Sequence, residues 1–420
     1  MKTVVIGAGI IGVTTAYYLA REGREVVVID KADRVGTDAT GGNAGLIAPG
    51  HSFAWASPAA PKMMVQSLRG QATAIRVKPR LDPKLVSWGV QFLRECTSAR
   101  AEANTLVKYQ LCRYGQQELD ALAEAEGIDY QQVKKGIVYL HRDQQALSGA
   151  AEKMQFMVRQ GVGLDVLDID QVVKLDPALE RVSDLFVGGI HVPSDASGNS
   201  AIFTERLAQI CEGLGVEFRF GTEATKLVAS GNKIVSVETS AGPIRADEFV
   251  LAMGVESPRL SRTIGQRLPI YPAKGYSMTV DILDGDAVPT MGGVDEATLV
   301  AWSRQGDSMR LSSTAEFAGY SRDWKHSDFS NILATGKQMF PEGLDWDRAR
   351  MRSCLRPMTP DGPPIVGKGK HQNMYYNTGH GHMGWTMGCG SSRVVTDLML
   401  GRRPEIPLRG LEVRSHRVAS

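Results

Sequence analysis

Apolar positions set the first element boundaries. A β-branched run from Thr3 to Gly7 and another from Glu25 to Asp30 lack the polar alternation of a half-wet strand, so both predict strands buried on two faces. Between them apolar residues recur at helical spacing from Ile10 to Glu22, and Gly23 stands where a helix ends. This strand–helix–strand unit is the opening of a doubly wound parallel sheet. Residues 35–60 are rich in Gly, Ala, Ser and Pro and predict a loop region with short helical pieces. Longer helices are expected over Ala101–Glu126, Gln144–Gln160 and Ser200–Leu214. Strands are expected over Phe186–Pro193, Val216–Phe220, Ile234–Thr239, Glu248–Met253, Tyr271–Val280, Ser308–Ser313 and Met374–Asn377, and the chain closes with a helix from Trp385 to Leu400.

Composition narrows the class without changing that outline. The chain has 420 residues, with 48 basic and 46 acidic side chains, so no charge excess asks for nucleic acid as a partner. Its five cysteines are scattered without a C-x-x-C pair, which argues against a disulfide framework and against a metal site. Lys2 and the apolar run after it imitate a signal peptide but lack a small-residue cleavage site, and no transmembrane segment is expected. The expected location is the cytoplasm, either free or peripheral to the inner face of the cell membrane.

The 45 glycines are the unusual feature, and three clusters of them carry candidate chemistry. Gly7, Gly9 and Gly12 form G-x-G-x-x-G at the turn from strand to helix. There Gly7 permits the tight turn, Gly9 lets backbone approach a pyrophosphate, and Gly12 allows close packing. Ile10 and Ile11 open the helix whose free N–H groups favour phosphate. Asp30 ends the second strand where a carboxylate meets a ribose hydroxyl, with Lys31 beside it. An ordinary glycine turn is the alternative, and placement together with the acid disfavours it. The later clusters are Gly41–Gly45, containing Gly42, Asn43 and Ala44 and followed by Leu46, and Gly379–Trp385. Both let backbone lie against a flat ligand, a pattern that a nicotinamide enzyme leaves unexplained.

Together the fingerprint, G-G-N-A-G-L-I-A-P-G, Leu355–Gly362 (L-R-P-M-T-P-D-G) and T-G-H-G at 378–381 resemble the FAD-dependent D-amino acid oxidase superfamily, nearest its D-amino acid dehydrogenase small-subunit type. The resemblance spans the whole chain. It implies an α/β fold: a Rossmann-like FAD-binding domain (1–80, 185–260 and 350–420) with an inserted α+β substrate domain (81–184 and 261–349) carrying a mixed or antiparallel sheet. It implies FAD as cofactor and Arg356 as the carboxylate-binding residue, with Asp361 as an ordinary ion-pair alternative. FAD contacts are implied at Ala224, Ala252, Gly254, Gly379, His380, Gly381, His382, Met383, Gly384, Trp385 and Thr386. Related enzymes place substrate-side tyrosines near Tyr271 and Tyr276, although strand alternation sets these two on opposite faces unless a bulge intervenes. Lys274 stands where sarcosine-oxidising relatives hold a lysine near the flavin. Cys354 stands where they attach FAD covalently, which the dehydrogenase branch usually does not. His51 and His382 depart from the relatives' pattern, His51 offering a substrate contact. The implied reaction is oxidation of D-amino acids, including D-proline-like ones, to 2-oxo acids or cyclic imines, by hydride transfer from Cα to flavin N5. Electrons would pass to a quinone or carrier protein. Hydroxy-D-proline dehydrogenase, glycine or sarcosine oxidase, and a flavin-bearing subunit active only in a complex are the alternatives.

Overall fold

The computed structural model of the chain describes residues 1–68, 75–78 and 80–413. Two sheets organise them. The first has six strands in the order Ile365–Lys368, Met374–Thr378, Glu248–Leu251, Lys2–Ile6, Glu25–Ile29 and Glu217–Arg219. All neighbours in it are parallel except the antiparallel edge strand Ile365–Lys368. Alternate side chains feed two cores. Val5, Val26 and Val28 pack under the helices Ile10–Arg21, Ser98–Glu126, Ser200–Gly213 and Gly384–Met399, while Val4, Ile6, Val27 and Ile29 pack against the three-stranded sheet Ala224–Arg245. Burial on both faces is why these strands read as continuous apolar runs.

The second sheet has nine strands among the described residues. Its main path runs Arg350–Met358, Tyr271–Asp281, Ser308–Phe317, Val300–Gln305, Gly292–Asp295, Ile137–His141, Gly188–Val192 and Asp165–Asp168, and Ile75–Val77 pairs beside Ser308–Phe317. It is mixed: most pairs are antiparallel, but Gly292–Asp295 runs parallel to Ile137–His141 and Ile75–Val77 parallel to Ser308–Phe317.

Several segments fall on a different side from the boundaries expected above. Arg350–Met358 and Gly188–Val192 pair into this second sheet rather than the first. The helix Ser98–Glu126 packs instead on Gly384–Met399, where a Cβ on Gly390 would lie 2.8 Å from the Gly115 Cα. The reason is physical: periodicity along a strand reports burial, whereas its pairing partner is set by distant chain. Strands not foreseen include Ile137–His141, Asp165–Asp168, Gly292–Asp295 and Val300–Gln305. They are four to six residues long, and Gly292–Gly293 interrupts the apolar pattern of one of them.

Candidate active site

A cavity of about 780 Å³ opens between the two sheets. One end is backbone. Gly7 takes φ +114°, and a Cβ there would sit 2.5 Å from the Ala252 carbonyl oxygen. A Cβ on Gly12 would drive into the Gly7 carbonyl, so both glycines are required by the protein's own packing. Gly9 differs: its absent Cβ faces only the Thr40 hydroxyl at 3.4 Å, leaving the cavity side open for a ligand to approach. The helix Ile10–Arg21 begins there without a side-chain cap from Gly9, and the helix Gly384–Met399 likewise begins uncapped at Met383 on the same cavity. Asp30 accepts from the Ala8 N–H at 2.7 Å and the Ala32 N–H at 2.8 Å, which braces the turn and leaves lone pairs toward the cavity. Two buried polar atoms on lining residues, Asn377 Oδ1 and Trp385 Nε1, have no hydrogen-bond partner among the described residues. The Ile10 N–H is taken by Thr40 Oγ1 at 3.1 Å, but the uncapped start of Gly384–Met399, the open Gly9 and the orphaned polar atoms fit an extended dinucleotide such as FAD.

The middle glycine cluster is held from the second sheet. Arg310 donates to the carbonyls of Gly41 at 2.9 Å and Asn43 at 3.1 Å, and Arg352 donates to the Thr37 carbonyl. Burial and the neighbouring Arg352 charge push Arg310 down to about 10. A Cβ on Gly42 would lie 2.8 Å from the Cys354 Sγ. Burial raises the Cys354 thiol above its ordinary range, with the arginines at 356, 352 and 310 opposing, so the sulfur is held as a thiol.

The other end is built from side chains on the second sheet. Arg356 faces Ala273 across the strand pair, and Gly275 is the next residue on that face. A Cβ on Gly275 would lie 2.6–2.7 Å from the guanidinium, so its absence is what lets Arg356 extend across the strand to Ser312 Oγ at 3.4 Å. Among the described residues no carboxylate pairs with Arg356, and burial lowers its pKa from the usual arginine value. Beyond Ser312 a row of paired residues, Ala301, Val294 and Tyr139, forms the floor. His51 stacks on Tyr139 with centroids 4.4 Å apart, and burial with Lys153 and Lys108 pushes it down to about 3. His382 stacks on Trp55 at 4.6 Å and is held well below the usual imidazole value by burial and by Lys108 and Arg356. His380 bonds Ser391 Oγ at 2.9 Å, and burial pushes it to about 3. All three rings are neutral near pH 7.

The wall at residues 48–54 is pinned from outside the cavity. Gly50 N donates to Asp195 Oδ1 at 2.9 Å, Ala54 N to Thr105 Oγ1 at 3.0 Å, and the buried Lys108 Nζ donates to the Phe53 carbonyl at 2.7 Å. Burial drives Lys108 down to about 8 and Asp195 up to about 7, and Tyr139 OH also donates to Asp195.

Most sequence-predicted positions meet at this cavity: Gly7, Gly9, Ile10, Ile11, Asp30, Lys31, Gly42, Asn43, Ala44, Leu46, His51, Ala224, Ala252, Gly254, Arg356, His380, Gly381, His382, Met383, Gly384, Trp385 and Thr386. Gly12, Gly45 and Gly379 stand behind the lining. Gly45 makes room for Ser303 and Gln305, and Gly379 for Thr359 and Ile270. Tyr271, Tyr276 and Lys274 do not line it. Tyr271 turns to Asp82 at 2.7 Å under the helix Pro83–Glu95, Tyr276 donates to Glu316 on the opposite face, and Lys274 donates to the Asp323 carbonyl. A bulge does lie beside Gly275–Tyr276, but the extra residue belongs to Ser308–Phe317, so the two tyrosines stay on opposite faces. Sequence reasoning missed Ser312, Tyr139, Lys153 and Glu296, which line the cavity. Ser312 and Lys153 lie on elements that the sequence does predict, the strand Ser308–Phe317 and the helix Gln144–Arg159, but no motif marks them, while Tyr139 and Glu296 lie on or just past short strands that it does not.

Comparison with known proteins agrees with this geometry. A family model described as FAD dependent oxidoreductase matches residues 2–398. A protein of Mesorhizobium japonicum named D-amino acid dehydrogenase 2 is 42% identical over 412 residues, covering 98% of this chain and 99% of its own length. A D-amino acid dehydrogenase of Methylobacterium radiotolerans is 40% identical over 407 residues, 97% of each chain. Among solved structures, glycine oxidase from Geobacillus kaustophilus superposes with a TM-score of 0.75 at 19% identity, covering 99% of this chain and 98% of its own. L-proline dehydrogenase from P. horikoshii does so at 0.73 and 16%, covering 98% and 96%. The structural likenesses speak to fold alone.

Proposed function

This chain belongs to the FAD-dependent oxidoreductase family, and on that premise we propose that it is a D-amino acid dehydrogenase whose substrate carboxylate is held by Arg356. The observation that carries the reading is the Arg356 guanidinium: it enters the cavity, touches one hydroxyl and has no acidic partner among the described residues. An unpaired, partly desolvated guanidinium is a fork waiting for a carboxylate. Bound FAD supplies the two-electron acceptor for the substrate Cα–H bond. The glycine turn, Asp30 and the two helix N-termini would hold its dinucleotide part, and residues of the loops at 42–46 and 379–386 line the remainder of the cavity.

Arg356 and Ser312 orient the substrate by its carboxylate, which is the positioning the reaction needs. His51 and His382 are neutral, so neither adds a positive charge that would repel the substrate amine. No lining carboxylate is placed as a strong base, so the amine enters in its neutral form and its protons leave to solvent. The product is an imine, which water converts to a 2-oxo acid and ammonia, or which remains cyclic when the substrate is D-proline-like. The D-configuration rests on the relatives' names.

The electron acceptor is a quinone in a membrane that the protein meets peripherally. Val86, Val90 and Leu93 are exposed on one face of the helix Pro83–Glu95 and Leu81 is fully exposed beside it. Residues 60–100 carry eight basic and two acidic side chains in a chain that is otherwise acidic. Met63 and Gln66 of the neighbouring helix Ala60–Leu68 line the cavity, which joins this surface to the site. Among the described residues no helix is long and apolar enough to cross a membrane.

The experiment is anaerobic addition of D-alanine, D-proline and their L-forms to the yellow holoprotein. Bleaching by D-forms only, and slow return of colour in air but fast return with a soluble quinone, is the expected outcome. Bleaching by L-forms alone, or by none of the four, would overturn the reading. Flotation with anionic vesicles, lost in a Val86→Ser/Val90→Ser variant, checks the membrane contact.

A further inference from the structure

The far end of the cavity floor holds a polar group that carboxylate binding does not use. Val294 and Glu296 are two residues apart on the strand end that pairs beside Tyr139, and both line the cavity. Glu296 Oε1 is buried and has no hydrogen-bond partner among the described residues; the nearest ring nitrogen, His51 Nε2, lies 3.6 Å away. His51 is neutral near pH 7, so it does not neutralise that carboxylate. Lys153 lines the same end, with its Nζ 4.3 Å above the Phe53 ring, close enough for its charge to act on Glu296 but not paired with it. A buried, unsatisfied acceptor costs free energy until a donor reaches it. The cavity therefore offers an acceptor and a cationic donor side by side, over the apolar floor of Val294 and Ala301.

The distance favours a substrate side chain as the missing partner. Ser312, which receives Arg356, is two strands from Val294 along the floor, about 10 Å at ordinary strand spacing. A substrate held by its carboxylate at Arg356 points its side chain along that row or away from it. The lone acceptor lies along it.

We propose that Glu296 and Lys153 are specificity-determining residues that read a neutral side-chain group able both to donate and to accept, a carboxamide or a hydroxyl. Glu296 accepts the N–H or O–H and Lys153 donates to the oxygen of the same group. Lys153 already balances the charge of Glu296, so a cationic side chain would bring a surplus positive charge into the site, and an apolar one leaves Glu296 unsatisfied; both are disfavoured. This inference rests on the D-amino acid reading above.

The test compares kcat/KM for D-glutamine and D-norleucine, which are close in shape, with D-lysine as the charged control, in the holoenzyme with an artificial acceptor. D-Glutamine is expected to be favoured over both by at least about tenfold, as one buried hydrogen bond supplies. In Glu296→Ala the glutamine-to-norleucine ratio falls to near one, and Lys153→Met raises D-lysine relative to D-glutamine. Glu296→Gln, which keeps the shape, holds an intermediate ratio and guards against misfolding as the explanation. A ratio near one or below in the wild type, or one that Glu296→Ala leaves in place, overturns the inference while the D-amino acid reading stands. Failure of all three substrates overturns both.

Discussion

The two ends of the cavity are made differently. At the glycine turn, recognition is done by backbone: Gly7 and Gly12 are dictated by contacts within about thirty residues of sequence and by one neighbouring strand, and Gly9 leaves a gap that only a ligand fills. At the sheet floor, recognition is done by side chains from five strands, and Arg356 reaches Ser312 only because Gly275 on the intervening strand has no side chain. The first end tolerates almost any side chain that does not intrude, whereas the second depends on the identity of a few. Substitutions should separate the two.

The largest effect is expected at Gly7. Gly7→Ala combines positive φ with a collision against Ala252, a cost of about 3 kcal/mol. The purified variant should show a lowered Tm and little flavin absorbance. Gly9→Ala meets nothing closer than 3.4 Å in the protein, so its Tm without flavin should match the wild type while flavin retention falls. If both variants behaved alike, the distinction between packing glycines and ligand-facing ones would be lost.

Arg356→Met should break the other end alone. Loss of a charged bidentate contact lowers kcat/KM by about two to three powers of ten, with flavin content and Tm little changed. A variant that also sheds flavin would mean that the guanidinium supports the cofactor end.

The smallest effect is expected behind the wall. Asp195 is buried and titrates at about 7, above its unfolded value, so the native state holds its proton more tightly than the unfolded chain does. That preference favours the fold below about pH 4 and is lost as pH rises to about 7, beyond which the slope is flat. Asp195→Asn keeps partners for Gly50 N and Tyr139 OH but cannot ionise. It should therefore be more stable than the wild type at pH 8 and no more stable at pH 4, as read by Tm across that range.

The contrast between the ends also explains what could be read from the chain before it was folded. The glycine turn, Asp30 and the terminal cluster were legible because their chemistry is local: a turn that needs glycine announces it in consecutive residues. Arg356 was legible only through the motif around it. Ser312, Tyr139 and Glu296 were not, because they reach the cavity through pairing with distant strands, as Ser312 does with Ala301 and Val294 with Tyr139, and Lys153 was not, because nothing in its helix Gln144–Arg159 says which side chain a distant sheet will face. Tyr271, Tyr276 and Lys274 show the reverse error. They lie beside the right strand and face Asp82, Glu316 and Asp323 instead, a difference that strand alternation anticipated only for the pair of tyrosines.

The grip of Arg310 and Arg352 on the loop at 37–43 has a consequence in time rather than in geometry. Because side chains of one sheet hold main-chain oxygens that belong to the other, the sheets cannot part like a hinge without breaking several charged hydrogen bonds at once. A molecule threaded beneath that loop leaves only when the loop itself opens, on the slow timescale of local unfolding. A small molecule lying over the floor passes through the mouth and meets no such gate. One tenant therefore stays through many visits by the other, and this long residence suits a cofactor that must be loaded and unloaded with electrons without ever leaving its seat.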